Sequence, residues 1–395
     1  MAKNETIIKP KMIQWARARL NLSVDEFAKK LHVKPQCVID WESGKTAITM
    51  NQAESMAALS LLPLGVFFLK TPPKINLKLP DFRSVGNAFV SDASPELEAT
   101  ILAMQEKQAW YREYLIENGE SPLSFIGSIT LQTPIKNAAL KIKELLSLTQ
   151  ADWESIDNWS EYMSVLIHQI ESAGILFIRN GVVGNNTNRP LDLEEFRGFV
   201  LIDQYAPLIF INGGDSKNAQ LFTLIHETVH LLLGESGLID ANMNLKSCNT
   251  IERYCNHVAA EFLVPEDQFR ISFKRHDNSV AVENAISELA KEFKVSKFVV
   301  IARCRELSLL KSQVTDTLWA QETALLRKQK EKQKERGGGD YFSSLKYKVG
   351  RLFAQTIISE VMDHKISYSD AYHLLNVKND NDLQKLSIAV GVPFQ

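Results

Sequence analysis

The chain has 395 residues, of which 45% are hydrophobic and 23% charged, and its formal net charge is −2 at pH 7. This composition excludes wholesale disorder and is typical of a globular protein with two or three domains. The sequence shows neither a secretory signal nor an apolar run long enough to span a bilayer, so we expect a cytoplasmic protein with no membrane partner. Its four cysteines include no CxxC pair, which favours a reducing compartment and buried, inert thiols.

Short helices are predicted for the first 70 residues. Ser23 and Glu26 form a capping box that opens one helix, and Pro35 is placed for the first turn of the next, which Gly44 ends. Two short helices joined by a tight turn are typical of a helix-turn-helix. We therefore predict a helix-turn-helix domain over residues 1–70.

The second helix of this pair would lie in the major groove if the domain binds DNA. The positions able to contact bases or phosphate are Lys34, Gln36, Cys37, Asp40 and Lys45, of which Lys45 is placed for phosphate. Residues 1–70 hold ten Lys and Arg against six Asp and Glu, a surplus compatible with DNA. Acidic side chains in the same helix leave dimerisation or docking of a protein partner open as alternatives.

Prolines 72, 73 and 80 mark a linker, and amphipathic spacing predicts a helix over 95–119, so we assign residues 71–130 as linker and helix. Further helices are predicted at 134–149 and 158–173. Three apolar runs follow, at 175–178, 198–202 and 207–211, separated by Gly, Asn and Asp turns. They predict a small antiparallel sheet before the next helix.

The motif of that helix is His226-Glu227-Thr228-Val229-His230. Two histidines four residues apart project from one helix face, so both imidazoles can bind one zinc ion. The glutamate between them is placed to accept a proton from water, which makes Glu227 the candidate catalytic base. The predicted chemistry is hydrolysis of a peptide bond, with zinc polarising the carbonyl.

A catalytic zinc site needs a third protein ligand. We predict Glu252, because it begins a second helix in which Asn256 lies one turn later and can orient a zinc-binding histidine. Glu261 and His257 are the competing ligands. Two histidines and a carboxylate favour Zn²⁺, one ion per chain, over Mn²⁺ by softness, although they do not settle the choice.

Two features of the predicted catalytic region stay open. An oxyanion-stabilising side chain is usual in this chemistry, and Tyr254, His168 and Arg253 are candidates that no spacing separates. The strand at 208–211 could form a sheet edge that pairs with an extended substrate, or it could be an interior strand.

Helices are predicted after the motif at 251–263, 281–294 and 296–306. A charged run at 327–336 favours a solvated helical face over a nucleic-acid patch, because glutamates interrupt it. Three glycines at 337–339 form a candidate hinge before helices at 341–364 and 367–375.

Several separate blocks of the sequence resemble the ImmA/IrrE metallopeptidases. The blocks are Gly198 to Leu201, Pro207 to Asn212, Phe222 to Leu232, Glu252 to Asn256 and Ala259 to Pro265. The resemblance spans roughly residues 160–310 and implies that His226, His230 and Glu252 are metal ligands and Glu227 the base. Thr228 and Val229 replace the more usual small or apolar pair, which leaves the ligands untouched. Members commonly cleave a transcriptional repressor, and the longer type carries an XRE-like N-terminal domain and a C-terminal helical segment.

The expected fold is α+β and mostly helical, with a helix-turn-helix bundle, a zincin-like peptidase domain at 131–310 and a helical C-terminal region at 311–395. The predicted function is a zinc endopeptidase that switches gene expression by cleaving a repressor or similar regulator. The alternative is a DNA-binding antitoxin or autorepressor whose peptidase fold is a partner-binding scaffold. DNA, a protein substrate, a cognate toxin and a second copy of the chain are the partners that these hypotheses imply.

Overall fold

The computed structural model describes residues 8–73, 93–149, 156, 158–234, 250–276, 281–333 and 341–394. Within these residues the chain is mostly helical, with one three-stranded sheet and a separate two-stranded ribbon. The predicted α+β, mostly helical class is confirmed. The candidate glycine hinge at 337–339 lies outside the described residues.

The N-terminal bundle contains helices α1 (Pro10–Arg19), α2 (Val24–Lys30), α3 (Pro35–Glu42) and α4 (Met50–Ser60), followed by a 3₁₀ helix at Leu64–Phe68. The predicted capping box is present, because the backbone N–H of Glu26 donates to Ser23 Oγ and the backbone N–H of Ser23 donates to Glu26 Oε2. Val38 and Trp41 of α3 pack with Phe27 of α2 in the core of this bundle. The two helices thus form the predicted helix-turn-helix.

The predicted elements of the central part occur in the predicted order, and the structure adds a two-stranded ribbon at 182–190 and helices at 266–276 and 312–333 that were not predicted. Its helices before the sheet are α5 (Pro95–Glu117), α6 (Ile135–Leu145) and α7 (Trp159–Ser172). Its strands are β1 (Leu176–Asn180), β2 (Val182–Val183), β3 (Asn186–Pro190), β4 (Gly198–Leu201) and β5 (Leu208–Asn212). The helices after the sheet are α8 (Lys217–Leu233), α9 (Thr250–Leu263), α10 (Glu266–His276), α11 (Val282–Glu292), α12 (Lys297–Glu306) and α13 (Ser312–Gln333).

The three-stranded sheet has the order β1-β5-β4. Strands β1 and β5 pair in parallel with Leu176 opposite Leu208, whereas β4 and β5 pair antiparallel with Leu201 opposite Leu208. The prediction of an antiparallel sheet is therefore wrong for one of its two pairs. Among the three strands of this sheet, only β4 and β5 are joined by a short connection, which makes them antiparallel. Between β1 and β5 the chain passes through the β2–β3 ribbon and β4, so β5 runs in the same direction as β1.

Both faces of the sheet are covered by helices. Phe177, Val200, Ile209 and Ile211 face the core that α7, α8 and α9 share. Leu176, Ile178, Phe199 and Phe210 face a second core, to which α5 and the C-terminal helices contribute. Burial on both faces explains why these strands are continuous apolar runs rather than alternating ones.

The C-terminal helices are α14 (Tyr341–Val349), α15 (Arg351–Met362), α16 (Tyr368–Leu375) and α17 (Asp380–Val390). Gly350, with φ of 92°, breaks the predicted continuous helix at 341–364. Helix α17 was not predicted, although Asn379 is a typical N-cap residue. In the structure its Oδ1 accepts from the backbone N–H of Asp382. None of the described helices has the length and apolarity to cross a bilayer.

Candidate metal centre

Helix α8 holds the HExxH motif in the interior of the protein. Ser216 caps the helix, with its Oγ accepting from the backbone N–H of Ala219, and Gly234 in the left-handed region ends it. The side chains of His226, Glu227 and His230 are 1% exposed or less. Because every residue of the helix from Ala219 to Leu232 is buried, its polar side chains need partners inside the protein.

Three side chains converge around one point. His226 Nε2 lies 3.1 Å from His230 Nε2 and 3.1 Å from Glu252 Oε2, and His230 Nε2 lies 3.2 Å from Glu252 Oε1. Glu252 is in the first turn of α9, which packs against α8. The structure therefore brings together the three predicted metal ligands from two helices.

This arrangement fits a metal ion. Ligand atoms at about 2.1 Å from a tetrahedral zinc ion stand about 3.4 Å apart, close to the three distances observed between the two nitrogens and the carboxylate. Two Nε2 atoms at this separation need either a proton or a cation between them. A shared cation is the simplest partner, because it accepts the lone pairs of both nitrogens. Imidazole and carboxylate are ligands that zinc accepts.

The pKa shifts of Glu252 and His226 favour cation binding. Although burial opposes ionisation, the hydrogen bonds and charges of the two histidines hold the pKa of Glu252 well below its usual range. Burial lowers the pKa of His226, which keeps its imidazole neutral and able to coordinate. For His230, burial opposes protonation, but contacts with Cys255 and Glu252 raise its pKa well above the usual value, so a cation has to displace a proton there.

Asn256 contacts one of the histidines from outside the triangle. Its Oδ1 lies 3.0 Å from His226 Nδ1, and it sits one helical turn after Glu252 on α9. An acceptor at Nδ1 fixes the tautomer in which Nε2 carries the lone pair. The position agrees with the orienting role predicted for Asn256.

Glu227 lies beside the triangle without a partner of its own. Both carboxylate oxygens are buried and make no hydrogen bond to the described residues. Burial raises the pKa of Glu227 well above its usual value. A buried carboxyl group with a raised pKa can act as a general base and then as a general acid.

The competing ligands lie away from the triangle. His257 Nδ1 contacts Glu306 Oε1 at 2.5 Å, and Glu261 pairs with Arg303, whose Nη1 also donates to Glu306 at 2.8 Å. These side chains form a buried ionic network that joins α9 to α12. His257 and Glu261 thus face the opposite side of α9 from Glu252.

None of the three oxyanion candidates is placed at the triangle by a described contact. Tyr254 Oη donates to the carbonyl of Thr133 at 2.8 Å, which ties it to the segment before α6. Arg253 and His168 have exposed side chains, and His168 lies on α7. The structure therefore supports none of these candidates.

Cys255 is a polar neighbour of the centre that the sequence analysis assigned to inert thiols. Its buried Sγ lies within 4.8 Å of a ring nitrogen of both His226 and His230. The available signal was its position, three residues after Glu252 and next to Asn256 on the same helix. Cys304 is also buried, Cys37 is partly exposed, and Cys248 lies outside the described residues.

The predicted DNA-contacting residues lie on or beside α3. Lys34, Gln36 and Lys45 are exposed, whereas Cys37 and Asp40 are half-buried. Gln36 Nε2 donates to Asp40 Oδ1 at 2.9 Å, and Glu42 makes a two-point ion pair with Arg17. Glu42 is thereby neutralised within the domain. Ile39, 45% exposed on the same helix, is an apolar surface position that the sequence analysis did not consider.

Comparisons with known families match three parts of the chain. A helix-turn-helix model matches residues 13–59, the IrrE N-terminal-like domain matches residues 183–305, and a domain of unknown function (DUF8813) matches residues 349–387. The second match contains both histidines, Glu227 and Glu252. A search of curated proteins found no match to this chain. The chain thus combines a DNA-binding type of domain with a metallopeptidase-like domain.

Proposed function

Because the chain has the ImmA/IrrE architecture, a helix-turn-helix domain followed by an IrrE N-terminal-like domain, we propose that it is a zinc-dependent endopeptidase acting in gene control. Its substrate is a transcriptional repressor or a similar regulatory protein. The observation that carries the proposal is the triangle of His226, His230 and Glu252 with the unpartnered Glu227 beside it. A merely structural metal site would not need a buried carboxyl group in that place.

The two histidines would hold a zinc ion through Nε2, and Glu252 would hold it through its carboxylate. When bound, zinc acts as a Lewis acid that polarises a substrate carbonyl and makes water acidic near neutral pH. Asn256 keeps His226 in the coordinating tautomer. Since the three ligands come from two packed helices, their geometry is set before substrate arrives.

Glu227 is the proton carrier in this proposal. As a carboxylate it takes a proton from the attacking water, and as the neutral acid it returns the proton to the leaving amine. Burial raises the pKa of Glu227 well above its usual value, so its carboxylate is a stronger base than that of an exposed glutamate. The absence of a hydrogen-bond partner among the described residues leaves both oxygens available for this exchange.

The substrate strand is proposed to pair with β4, not with β5. Strand β5 is in the middle of the sheet, so the hypothesis of an edge at 208–211 is wrong and its interior alternative is correct. The backbone N–H of Asn212 donates to the carbonyl of Arg197, and the register then turns the N–H and C=O groups of Gly198 and Val200 away from β5. A peptide strand added at this edge would run past Glu227, because Gly198 lies against its carboxylate. All four residues of β4 are buried, so the cover over this edge has to move before a peptide can pair with it.

The helix-turn-helix brings the peptidase to DNA or to a DNA-bound target. Arg19 of α1 pairs with Glu98 of α5, and Arg189 of β3 bonds both Glu96 and the carbonyl of Leu59. These contacts use α1 and α4. The exposed side of α3, with Lys34 and Gln36, is therefore left available for the major groove.

One observation favours the second candidate function. His226, Glu227 and His230 are almost completely buried, so a peptide reaches them only if the cover over the centre moves. A centre that never opens suits a DNA-binding antitoxin or autorepressor with a scaffold-like peptidase domain. Neither a toxin partner nor a homodimer has support from the family matches.

Replacing Glu227 with Gln in the cell separates the two candidates. Zinc ligands are untouched, so the variant should contain zinc while its target repressor stays intact and the controlled genes stay silent. Glu283→Gln, at an exposed position on α11, is the control and should behave as the parent chain. Full switching of the genes by Glu227→Gln would reject the peptidase function.

A further inference from the structure

The two histidines of the centre differ in what holds their outer nitrogen. His226 Nδ1 lies 3.0 Å from Asn256 Oδ1. The side chain of His230 is 1% exposed, and its buried Nδ1 has no hydrogen-bond partner among the described residues. Asn256 thus orients His226, whereas no corresponding contact orients His230.

Metal binding makes this difference important. When Nε2 of a neutral imidazole coordinates a cation, the ring proton must be on Nδ1. A buried N–H without an acceptor is unfavourable, because it has lost its hydrogen bond to water. His230 therefore needs an acceptor at Nδ1 in the metal-loaded protein.

Cys255 is the polar side chain placed to supply it. Its Sγ lies within 4.8 Å of a ring nitrogen of His230, and the side chain is completely buried. It follows Glu252 by three residues and precedes Asn256, so one stretch of α9 presents a ligand, a thiol and an amide to α8. Sulfur is a weak acceptor that tolerates longer contacts than oxygen does.

We propose that Cys255 is a positioning residue whose Sγ accepts the hydrogen bond from Nδ1–H of His230 in the metal-loaded centre. It does for His230 what Asn256 Oδ1 does for His226. The inference rests on the proposed function only in its ligand set, His226, His230 and Glu252.

The test is zinc affinity of the full chain, measured by competition with a chromophoric chelator. Loss of an outer partner of a metal-bound histidine weakens binding about 10- to 100-fold. We expect this loss for Cys255→Ala, and recovery to within about threefold of the parent for Cys255→Ser, which restores an acceptor. Cys304→Ala, at the other buried thiol of the described residues, should bind zinc as the parent does.

Cobalt substitution supplies a second readout that does not depend on activity. A thiolate bound directly to cobalt gives an intense near-ultraviolet charge-transfer absorption, which we expect to be absent from the parent protein. Its presence would make Cys255 a fourth ligand and overturn the proposal, because four protein ligands close a zinc site to water. If Cys255→Ala does not fold, Cys255→Val keeps the volume without the acceptor and should show the same loss of affinity.

The outcomes also separate this inference from the proposed function. Parent protein that fails to bind zinc overturns both. Normal zinc binding with unchanged affinity in Cys255→Ala, or in Cys255→Val where the alanine variant does not fold, overturns the role of Cys255 alone. Weakened binding with recovery by serine supports it, even if Glu227→Gln shows that the protein acts without hydrolysis.

Discussion

Gly198 of the edge strand β4 lies directly against Glu227 of the HExxH helix. A Cβ built at Gly198 would come 3.2 Å from Glu227 Oε1, 2.7 Å from Thr223 Cγ2 and 2.9 Å from the carbonyl oxygen of Phe210. A glycine is therefore required where the sheet edge, the proposed base and the substrate would meet. This contact links a backbone position of the edge strand directly to the proposed catalytic base.

Gly198→Ala tests this contact. The added methyl group must displace Thr223, Glu227 or the strand, so we expect a loss of stability of about 1–3 kcal/mol and at least about a tenfold drop in peptide hydrolysis. Zinc content should be unchanged, because the three ligands are not touched. Gly65→Ala is the control, since nothing lies within 4 Å of its Cβ position. Unchanged hydrolysis in Gly198→Ala would remove β4 from the substrate path.

The third ligand can be tested against its competitors on the same helix. Glu252→Gln should lower zinc affinity by about a hundredfold or more, because it removes the charged ligand of the triangle. Glu261→Ala should keep zinc but cost about 3 kcal/mol of stability, since it leaves Arg303 with one carboxylate fewer in a buried network. Zinc analysis and urea unfolding report the two effects. The reverse pattern would assign the ligand to Glu261.

Lys107 gives the protein a pH-dependent stability that is independent of the metal centre. Its amino group is buried between α5 and the C-terminal helices, donates to the carbonyl of Leu374, and lies 4.6 Å from the ring centroid of Phe353. Burial lowers the pKa of Lys107 to about 8.

The sign of this effect follows from the two pKa values. Below pH 8 the amino group is protonated in the folded and the unfolded chain. Folding then carries the full free-energy cost of burying the charged group. Between the folded pKa and the unfolded value of 10.5, the unfolded chain binds more protons, so stability rises with pH. We expect a gain of about 2 kcal/mol from pH 7 to about pH 9.5 relative to Lys107→Met, by urea unfolding. Equal pH profiles for the two proteins would contradict this explanation.

The sequence alone was enough for the parts of the fold that rest on local signals. The capping box of Ser23 and Glu26, Pro35 at the start of α3, and the HExxH spacing each determine a helix or a site within a few residues. The one-turn spacing of Glu252 and Asn256 also identified which face of α9 meets α8.

The remaining features depend on contacts between distant parts of the chain. A buried apolar run such as Leu208–Asn212 has the same composition whether its neighbours are parallel or antiparallel, so the position of β5 in the middle of the sheet could not be predicted. Likewise, the place of Cys255 beside His230 depends on how α8 and α9 pack. Helix α5, assigned to a linker region, packs on the sheet together with the C-terminal helices because both bury the face that carries Phe199 and Phe210.

DNA binding by α3 predicts two different responses. Lys34→Glu should weaken binding at least about tenfold on any sequence and reduce the salt dependence, because a phosphate contact is lost. Gln36→Ala should cost about 1–3 kcal/mol on the operator only, since its amide must leave Asp40 to bind a base. Lys274→Glu, at an exposed position of α10, is the matched control. Gel-shift affinity that is unchanged in both α3 variants would favour a protein-docking role for the domain.

The central claim is that this centre hydrolyses a peptide bond with Glu227 as the proton carrier. Its most direct test is mass spectrometry of the purified target repressor, after incubation with the purified, zinc-loaded chain or its Glu227→Gln variant at equal zinc content. We expect two fragments of the repressor from the parent chain and intact repressor from the Glu227→Gln variant. Cleavage by Glu227→Gln at the rate of the parent chain would contradict it.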